Sequence, residues 1–359
     1  MTAAAVASRS DAFRSPEKTF GQDWSALADW LADRDMRFDP KACPRQFAGG
    51  VGNFNYLIEV DGAPAVLRRP PPGPRPAGAN DMTREFQALC ALHPHSSVVP
   101  KAIALCEDSD VLGVPFLISE FREGRVIRGA KFDAAPEMRA RVAKMLVTEL
   151  AALHAVPLAD IESAQLGAPQ GFAVRTAAGW RKRALAATDD APSDLLVEAA
   201  DWLAANAPTD TPSPTILHND FKLDNVIVDP DQPDCPRAVL DWDMATIGDP
   251  LFDLATMMSY WACPDDPPAM LLLQQMPSVE PGFLTRREAI DLYGEVTGRD
   301  MSAMTFFRAL AQFKLAVVLL QLHARWRRDP EKFPEFEPYA FVAEGLLAFT
   351  RDLIDERIV

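Results

Sequence analysis

The sequence is short of positive charge and of paired cysteines. Against 51 Asp and Glu stand 36 Lys and Arg, a formal net charge of −15. The pI is near 4.8. That balance argues against a nucleic-acid partner, whose phosphates call for an excess of basic side chains. The five cysteines, Cys43, Cys90, Cys106, Cys235 and Cys263, form no C-x-x-C pair. Their scatter excludes a paired-thiol motif and reads as reduced thiols in a cytoplasmic protein. The longest apolar stretch, 303–326, is interrupted by Arg308, Lys314 and Arg325, so it is expected as a buried helix, with no membrane partner. The opening MTAAAVASRSDAFRSPEKTF lacks the basic-then-apolar order of a secretory signal. There is no repeat of solenoid period. No G-x-x-x-x-G-K-[ST] occurs, which excludes a Walker-type phosphate loop.

What is present is a soluble-type composition. Of 359 residues, 48% are hydrophobic and 24% charged, enough for two lobes around a large core. Residues 1–22 are expected as a flexible arm, small and polar in composition. Trp24, Leu27, Trp30 and Leu31 recur at helical spacing within Asp23–Arg34. The run FAGGVGNFN, Phe47–Asn55, leads into a strand at Tyr56–Val60. Asp61-Gly62 is a two-residue hairpin turn and Ala65–Arg68 the return strand, stopped by Pro70-Pro71-Pro72. A helix at Thr83–Leu92 and strands at Ala102–Cys106 and Phe116–Glu120 complete a small sheet. Beyond Glu123-Gly124 the pattern turns helical, with long apolar runs at 136–155, 251–262, 303–326 and 339–354.

The stretch Pro214–Ala255, PTILHNDFKLDNVIVDPDQPDCPRAVLDWDMATIGDPLFDLA, holds the densest chemistry. Apolar runs at Val226–Val228 and Ala238–Leu240 flank a turn-rich spacer and read as a hairpin. Symmetry about Pro233 sets Val228 opposite Ala238 and Asn225 opposite Asp241, with Cβ atoms roughly 5 Å apart. An amide oxygen and a carboxylate side by side would suit Mg²⁺. Asp220, a short loop away, is left to receive a proton. Asp249-Pro250 reads as a helix N-cap followed by proline.

The order His218, Asp220, Asn225, hydrophobic strand, Asp241 resembles the aminoglycoside phosphotransferase family and its H-x-D-x-x-x-x-N pattern, and GDPLFDLA at Gly248–Ala255 is similar to it as well. The run AVLRRPPPG, with arginine where kinase-like folds carry a strand lysine, is similar to the kinase domains fused to acyl-CoA dehydrogenases. The resemblance implies an α+β, two-lobed protein-kinase-like fold. A small β-rich N-terminal lobe (23–121) would hold nucleotide. A larger, mainly helical C-terminal lobe (122–359) would carry the catalytic loop. It implies an ATP- and Mg²⁺-dependent O-phosphotransferase for a small hydroxylated acceptor. Asp220 is then the general base, and Asn225 and Asp241 the metal ligands.

The nucleotide-binding residues expected on this basis are Gly49, Gly50, Gly52 and Asn53 in the turn, Arg68 on the strand, Glu85 as its partner on the following helix, and Glu120 at the hinge. Each has a plainer reading. The glycines could form an ordinary turn, Glu85 a solvated helix face, and Arg69 could replace Arg68 if the register slips by one. His218 is expected to orient the loop, Asp253 to brace it, and Asp243 to touch a metal, the acceptor or solvent. Asn219, where aminoglycoside kinases often have glycine and choline kinases have HND, widens the substrate class. Basic clusters at Arg122, Arg125, Arg128 and Lys131, and at Arg181, Lys182 and Arg183, suit an anionic acceptor such as a hydroxy acid or hydroxyacyl-CoA. The acidic residues Asp189, Asp190, Asp194, Glu198 and Asp201 suit a cationic one. An aminoglycoside- or choline-type kinase, a nucleotide-binding pseudokinase and a protein kinase stand as alternatives. The oligomeric state is not legible.

Overall fold

Alternation along residues 54–69 builds the first hairpin. Strands β2 (Phe54–Val60) and β3 (Ala63–Arg69) pair antiparallel in full register. The turn residues Asp61 and Gly62 have φ of 54° and 80°, the condition for a two-residue turn that follows the strand twist. In a computed structural model that describes residues 12–49, 52–73, 80–161, 164–189, 191–273 and 275–356, this hairpin joins β1 (Arg45–Gln46), β4 (Ala102–Cys106) and β5 (Phe116–Glu120) in the order β1-β2-β3-β5-β4.

The two faces of that sheet have different partners. Tyr56, Ile58, Ala65 and Leu67 pack with Leu27, Trp30 and Leu31 of helix α1 (Trp24–Ala32), which Asp23 caps. Strand alternation sends Arg68 to the opposite face. Arg69 stays on the α1 side, buried, with hydrogen bonds to Leu112 O at 2.9 Å and to Gln22. The Arg68 register is therefore the observed one. Residues 12–22 fall within the expected arm, yet Phe13 is buried and stacks on Phe47 at 4.8 Å. Phe20 N donates to Gln46 Oε1 at 2.8 Å, so this segment lies along the sheet.

Helix α2 (Met82–Leu92) covers the Arg68 face, but its apolar side belongs to the larger core. Met82, Ala88, Leu89 and Leu92 cluster with the C-terminal helices. Val239 N also donates to Val98 O at 2.7 Å, just beyond α2, and Arg84 Nη1 to Ala245 O at 2.9 Å. Those helices are α3 (Pro136–His154), α4 (Phe172–Ala187), α5 (Asp194–Asn206), α6 (Pro250–Ser259), α7 (Arg286–Thr297), α8 (Met304–Arg328) and α9 (Tyr339–Ile354). By length and composition α8 could cross a membrane, yet 72% of its most apolar window is buried inside the protein. Its side chains are buried on several faces, Arg308, Gln312 and Lys314 among them, because neighbours surround it.

A second small sheet includes the strand that follows Asn225. β6 (Arg125–Val126) pairs with β8 (Val226–Val228), which pairs with β9 (Pro236–Val239). A further pair joins β7 (Thr215–Leu217) to β10 (Thr246–Gly248). The hairpin expectation holds, but its register needs correction. Val226 opposes Val239, Ile227 opposes Ala238 and Val228 opposes Pro236, with a shift between Ile227 and Val228. Asn225 thus faces Leu240, whose N–H donates to Asn225 O at 2.8 Å, and not Asp241. The cause is local. Asp229 caps Asp231 and Gln232 at 2.8 and 2.9 Å, which tightens the turn, and Pro236 has no N–H for the ladder.

Gly124 lets the chain cross onto β8. A Cβ there would run into Ile227 Cγ2 and lie 2.6 Å from Val228 O, a backbone atom that cannot swing aside. Gly124→Ala is therefore expected to destabilise the protein by about 1–3 kcal/mol. Gly21→Ala, with nothing within 4 Å, serves as the control. Equal urea midpoints for both would refute the close approach.

Candidate active site

The loop after β7 is held by its backbone. Asp253, on the first turns of α6, accepts from His218 N and Asn219 N, each at 2.6 Å, and from His154 Nε2 at 3.3 Å. Burial alone would raise this carboxyl, but the hydrogen bonds from His154 and the loop amide outweigh it and keep Asp253 below its ordinary range. Asn219 has φ of 64°, a left-handed conformation that asparagine and glycine tolerate. Backbone geometry alone thus explains an Asn where a Gly would serve. The Asn219 carbonyl accepts from Lys314 Nζ of α8 at 2.5 Å. His218 Nε2 meets Leu240 O at 2.8 Å and its Nδ1 accepts from Asp220 N at 3.2 Å, so its ring joins the loop to the end of the hairpin.

That loop presents Asp220 to three donors. Lys222 Nζ lies 2.6 Å and Asn225 Nδ2 3.2 Å from Oδ2, and Tyr260 donates its hydroxyl to Oδ1 at 3.1 Å. Asn225 Nδ2 also reaches Asp220 O at 2.9 Å. With its nitrogen so engaged, the Asn225 amide oxygen is the atom available to a cation. Lys222 is buried, which disfavours its charge, but the nearby Tyr260 and Asp220 more than offset this and raise its pKa.

A second cluster surrounds Arg68. Its Nε is 2.8 Å from Glu85 Oε2, its Nη2 bonds Asp241, and Asp243 Oδ2 is 4.0 Å away. One guanidinium faces three carboxyl groups. Burial pushes Glu85 up to about 7 against the pull of Arg68. Burial, then the Asp241 charge, push Asp243 up to about 8. Asp241 itself is held low by Arg68 despite its burial. Lys222 and His218 also act on Asp241, so the two clusters share one electrostatic field. Extension does not persist from Asp241 to Asp243, because Asp241 has φ of 73°.

The turn residues are arranged differently. Asn80 Nδ2 donates to Gly52 O at 2.7 Å and to Asn53 Oδ1 at 2.9 Å, so the Asn53 side chain braces the turn to the start of α2. Gly49 is open to Arg128, whose guanidinium occupies the space of a Cβ. Gly50 lies outside the described residues. The Glu120 carboxylate is engaged by Arg122 at 2.9 Å and Lys101 N at 3.1 Å. Three residues of this arrangement escaped the sequence. Lys222 sits in plain view two positions past Asp220, Lys314 showed only as a break in an apolar run, and Tyr260 carries no local signal at all.

The pattern of the phosphotransferase enzyme family matches residues 44–289. The chain belongs to that family. It is a small-molecule phosphotransferase with an alcohol group as acceptor and a two-lobed kinase-like fold. Acyl-CoA dehydrogenase family member 11 of Pongo abelii is 31% identical over 286 residues, covering 78% of this phosphotransferase and 36% of that relative. The chain thus spans little more than a third of that curated relative. A putative aminoglycoside phosphotransferase from Ralstonia eutropha aligns over 92% of this chain and 99% of its own, with a TM-score of 0.74 and 25% identity. A thermostable mutant of aminoglycoside phosphotransferase APH(4)-Ia, in ternary complex with ADP and hygromycin B, shares the fold at 16% identity and a TM-score of 0.54, over 92% of this chain and 98% of its own.

The raised carboxyls make stability depend on pH. Asp243 and Glu85 keep a proton in the folded protein that they lose in the unfolded chain above the ordinary carboxylate range. Their contribution is complete below the ordinary carboxylate range, shrinks as pH rises from about 4, and is gone once pH has passed about 7 to 8. Without divalent cation, Tm should fall over that window. Asp243→Asn should flatten the fall, and a slope identical to the parent's would contradict it.

Proposed function

We propose that this phosphotransferase uses ATP and Mg²⁺ to phosphorylate the hydroxyl of an anionic hydroxyacyl compound, a hydroxy acid or a hydroxyacyl-CoA. The observation that carries the phosphotransfer reading is the meeting of Arg68 and Asp241 beside the Asp220–Asn225 loop. The nucleotide is supported by the ADP held in the neighbouring APH(4)-Ia structure. The acyl-CoA class is supported by the acyl-CoA dehydrogenase name of the relative.

The donor set fits a hard cation. Among the described residues no group of three His, Cys, Asp or Glu could hold a metal unaided. Mg²⁺ commonly binds through one or two carboxylates together with substrate phosphates. Asp241 and the Asn225 amide oxygen would supply the protein's share, and the crowded, raised Asp243 marks a place where positive charge is wanting. When bound, the cation would neutralise charge on the phosphates.

The chain's own groups do the rest. Arg68 would grip phosphate oxygens while tied to Glu85, and an arginine fork suits that task. Asp220 accepts the acceptor's hydroxyl proton as the oxygen bonds to phosphorus, and the leaving oxygen departs with ADP. Residues 23–121 would hold the nucleotide and residues 122–359 the acceptor.

Charge around the cleft favours an anionic acceptor over an aminoglycoside. Of the five acidic residues that would suit a cation, three are paired, Asp201 with Arg181 at 2.9 Å, Asp189 with Arg327 at 2.8 Å, and Glu198 with Arg351, and the first pair occupies Arg181 of a basic cluster as well. Arg183 instead acts on buried Lys314 beside the catalytic loop. The deciding assay offers Mg·ATP with 4-hydroxyacyl-CoA, free hydroxy acids, choline and kanamycin. Turnover of the hydroxyacyl compounds is expected, and turnover of kanamycin or choline alone would overturn the acceptor class.

Two substitutions separate the roles. Asp220→Asn should lower kcat by about 10²–10⁴ with ATP affinity nearly intact. Asp241→Ala should abolish Mg²⁺-dependent nucleotide binding. A reversal of these effects in calorimetry would mean the residues were assigned the wrong way round.

A further inference from the structure

The donors around Asp220 leave one position open. Each carboxylate oxygen offers two lone-pair directions. Those of Oδ2 are taken by Lys222 Nζ at 2.6 Å and Asn225 Nδ2 at 3.2 Å, and one on Oδ1 by the Tyr260 hydroxyl at 3.1 Å. What remains is a single acceptor position on Oδ1, next to the tyrosine oxygen.

We propose that Tyr260 is a positioning residue for the base, its hydroxyl fixing Oδ1 as the atom that receives the acceptor's proton and holding the free lone pair toward the incoming hydroxyl. This rests on the phosphotransfer reading above. Two further observations support it. Tyr260 caps the C-terminus of α6, the helix whose Asp253 already grips the backbone of the same loop, so one helix sets both the main chain and the side chain of the base. The Tyr260 ring also lies 4.6 Å from Lys222 Nζ, so a single side chain supports the donors on both carboxylate oxygens. Burial and then the Asp220 charge hold the phenol well above its ordinary range, which keeps it a donor. The O–H that breaks is the acceptor's. Its proton passes to Oδ1, its oxygen bonds to phosphorus, and the bond from phosphorus to the leaving oxygen breaks with its electrons going to ADP. The tyrosine O–H stays intact throughout.

Tyr260→Phe keeps the ring under Lys222 and removes only the hydroxyl. With Mg·ATP and either 4-hydroxyacyl-CoA or water as acceptor, kcat should fall roughly tenfold, as expected for losing one hydrogen bond to a charged group. The Kd for ADP and the Tm should hold. Replacing Tyr260 by 3-fluorotyrosine, which restores the donor, should recover the rate. An unchanged kcat, a matching loss of ADP affinity, or no recovery with fluorotyrosine each overturns the proposal. Infrared difference spectra give a readout that needs no turnover. The Asp220 carboxylate band, identified by its loss in Asp220→Asn, should move between the parent and Tyr260→Phe, and a fixed band overturns the proposal. A parent that turns over neither acceptor overturns the Mg·ATP and hydroxyacyl reading proposed above, and a band shift would then leave Tyr260 a structural contact only.

Discussion

The loop that carries Asp220 depends on one carboxylate. Asp253 accepts the N–H groups of His218 and Asn219, two amides that would otherwise be buried without partners. Leaving them unsatisfied would cost about 1–3 kcal/mol each, so the left-handed turn at Asn219 holds only while Asp253 is charged and in place. Lys314 completes the grip from the other side through the Asn219 carbonyl. An anion on α6 and a cation on α8 thus clamp a single peptide segment, and Asp220 inherits its position from that clamp. His154 and Tyr293, 2.7 Å apart, extend the same network into α3 and α7.

Around Arg68 the design is the opposite, an excess of like charge held in check by one guanidinium. Glu85, Asp241 and Asp243 cannot all ionise comfortably around it, and the raised carboxyls record that frustration. The loop is fixed by its own hydrogen bonds, whereas the carboxylate cluster holds more acidic groups than its one guanidinium balances.

Much of this was legible in the order of residues. The Asp61-Gly62 turn, the Asp249-Pro250 helix start and the alternation that turns Arg68 away from Arg69 are local rules, and local rules act within a few residues. The buried helix at 303–326 was visible because charges in an apolar run mark a core helix, as α8 proves to be. The hairpin register escaped because a spacer's midpoint says nothing of how Asp229 tightens its turn or how Pro236 interrupts the ladder. Tyr260 escaped for a different reason. It lies 40 positions from Asp220, and nothing near either residue records that α6 folds back across the loop. The N-terminal segment misled by composition, since small polar residues hide Phe13, whose ring is anchored on Phe47.

Helix α2 has a consequence for control. In kinase folds the helix that carries the glutamate partner is often the element that swings to switch activity. Here its apolar side is sealed into the core of the larger lobe, and the linker beyond it is stitched to β9 through Val98 and Val239. Moving Glu85 away from Arg68 would mean opening that core, a cost on the scale of the fold itself. Glu85 is therefore held beside Arg68 by the packing of the larger lobe.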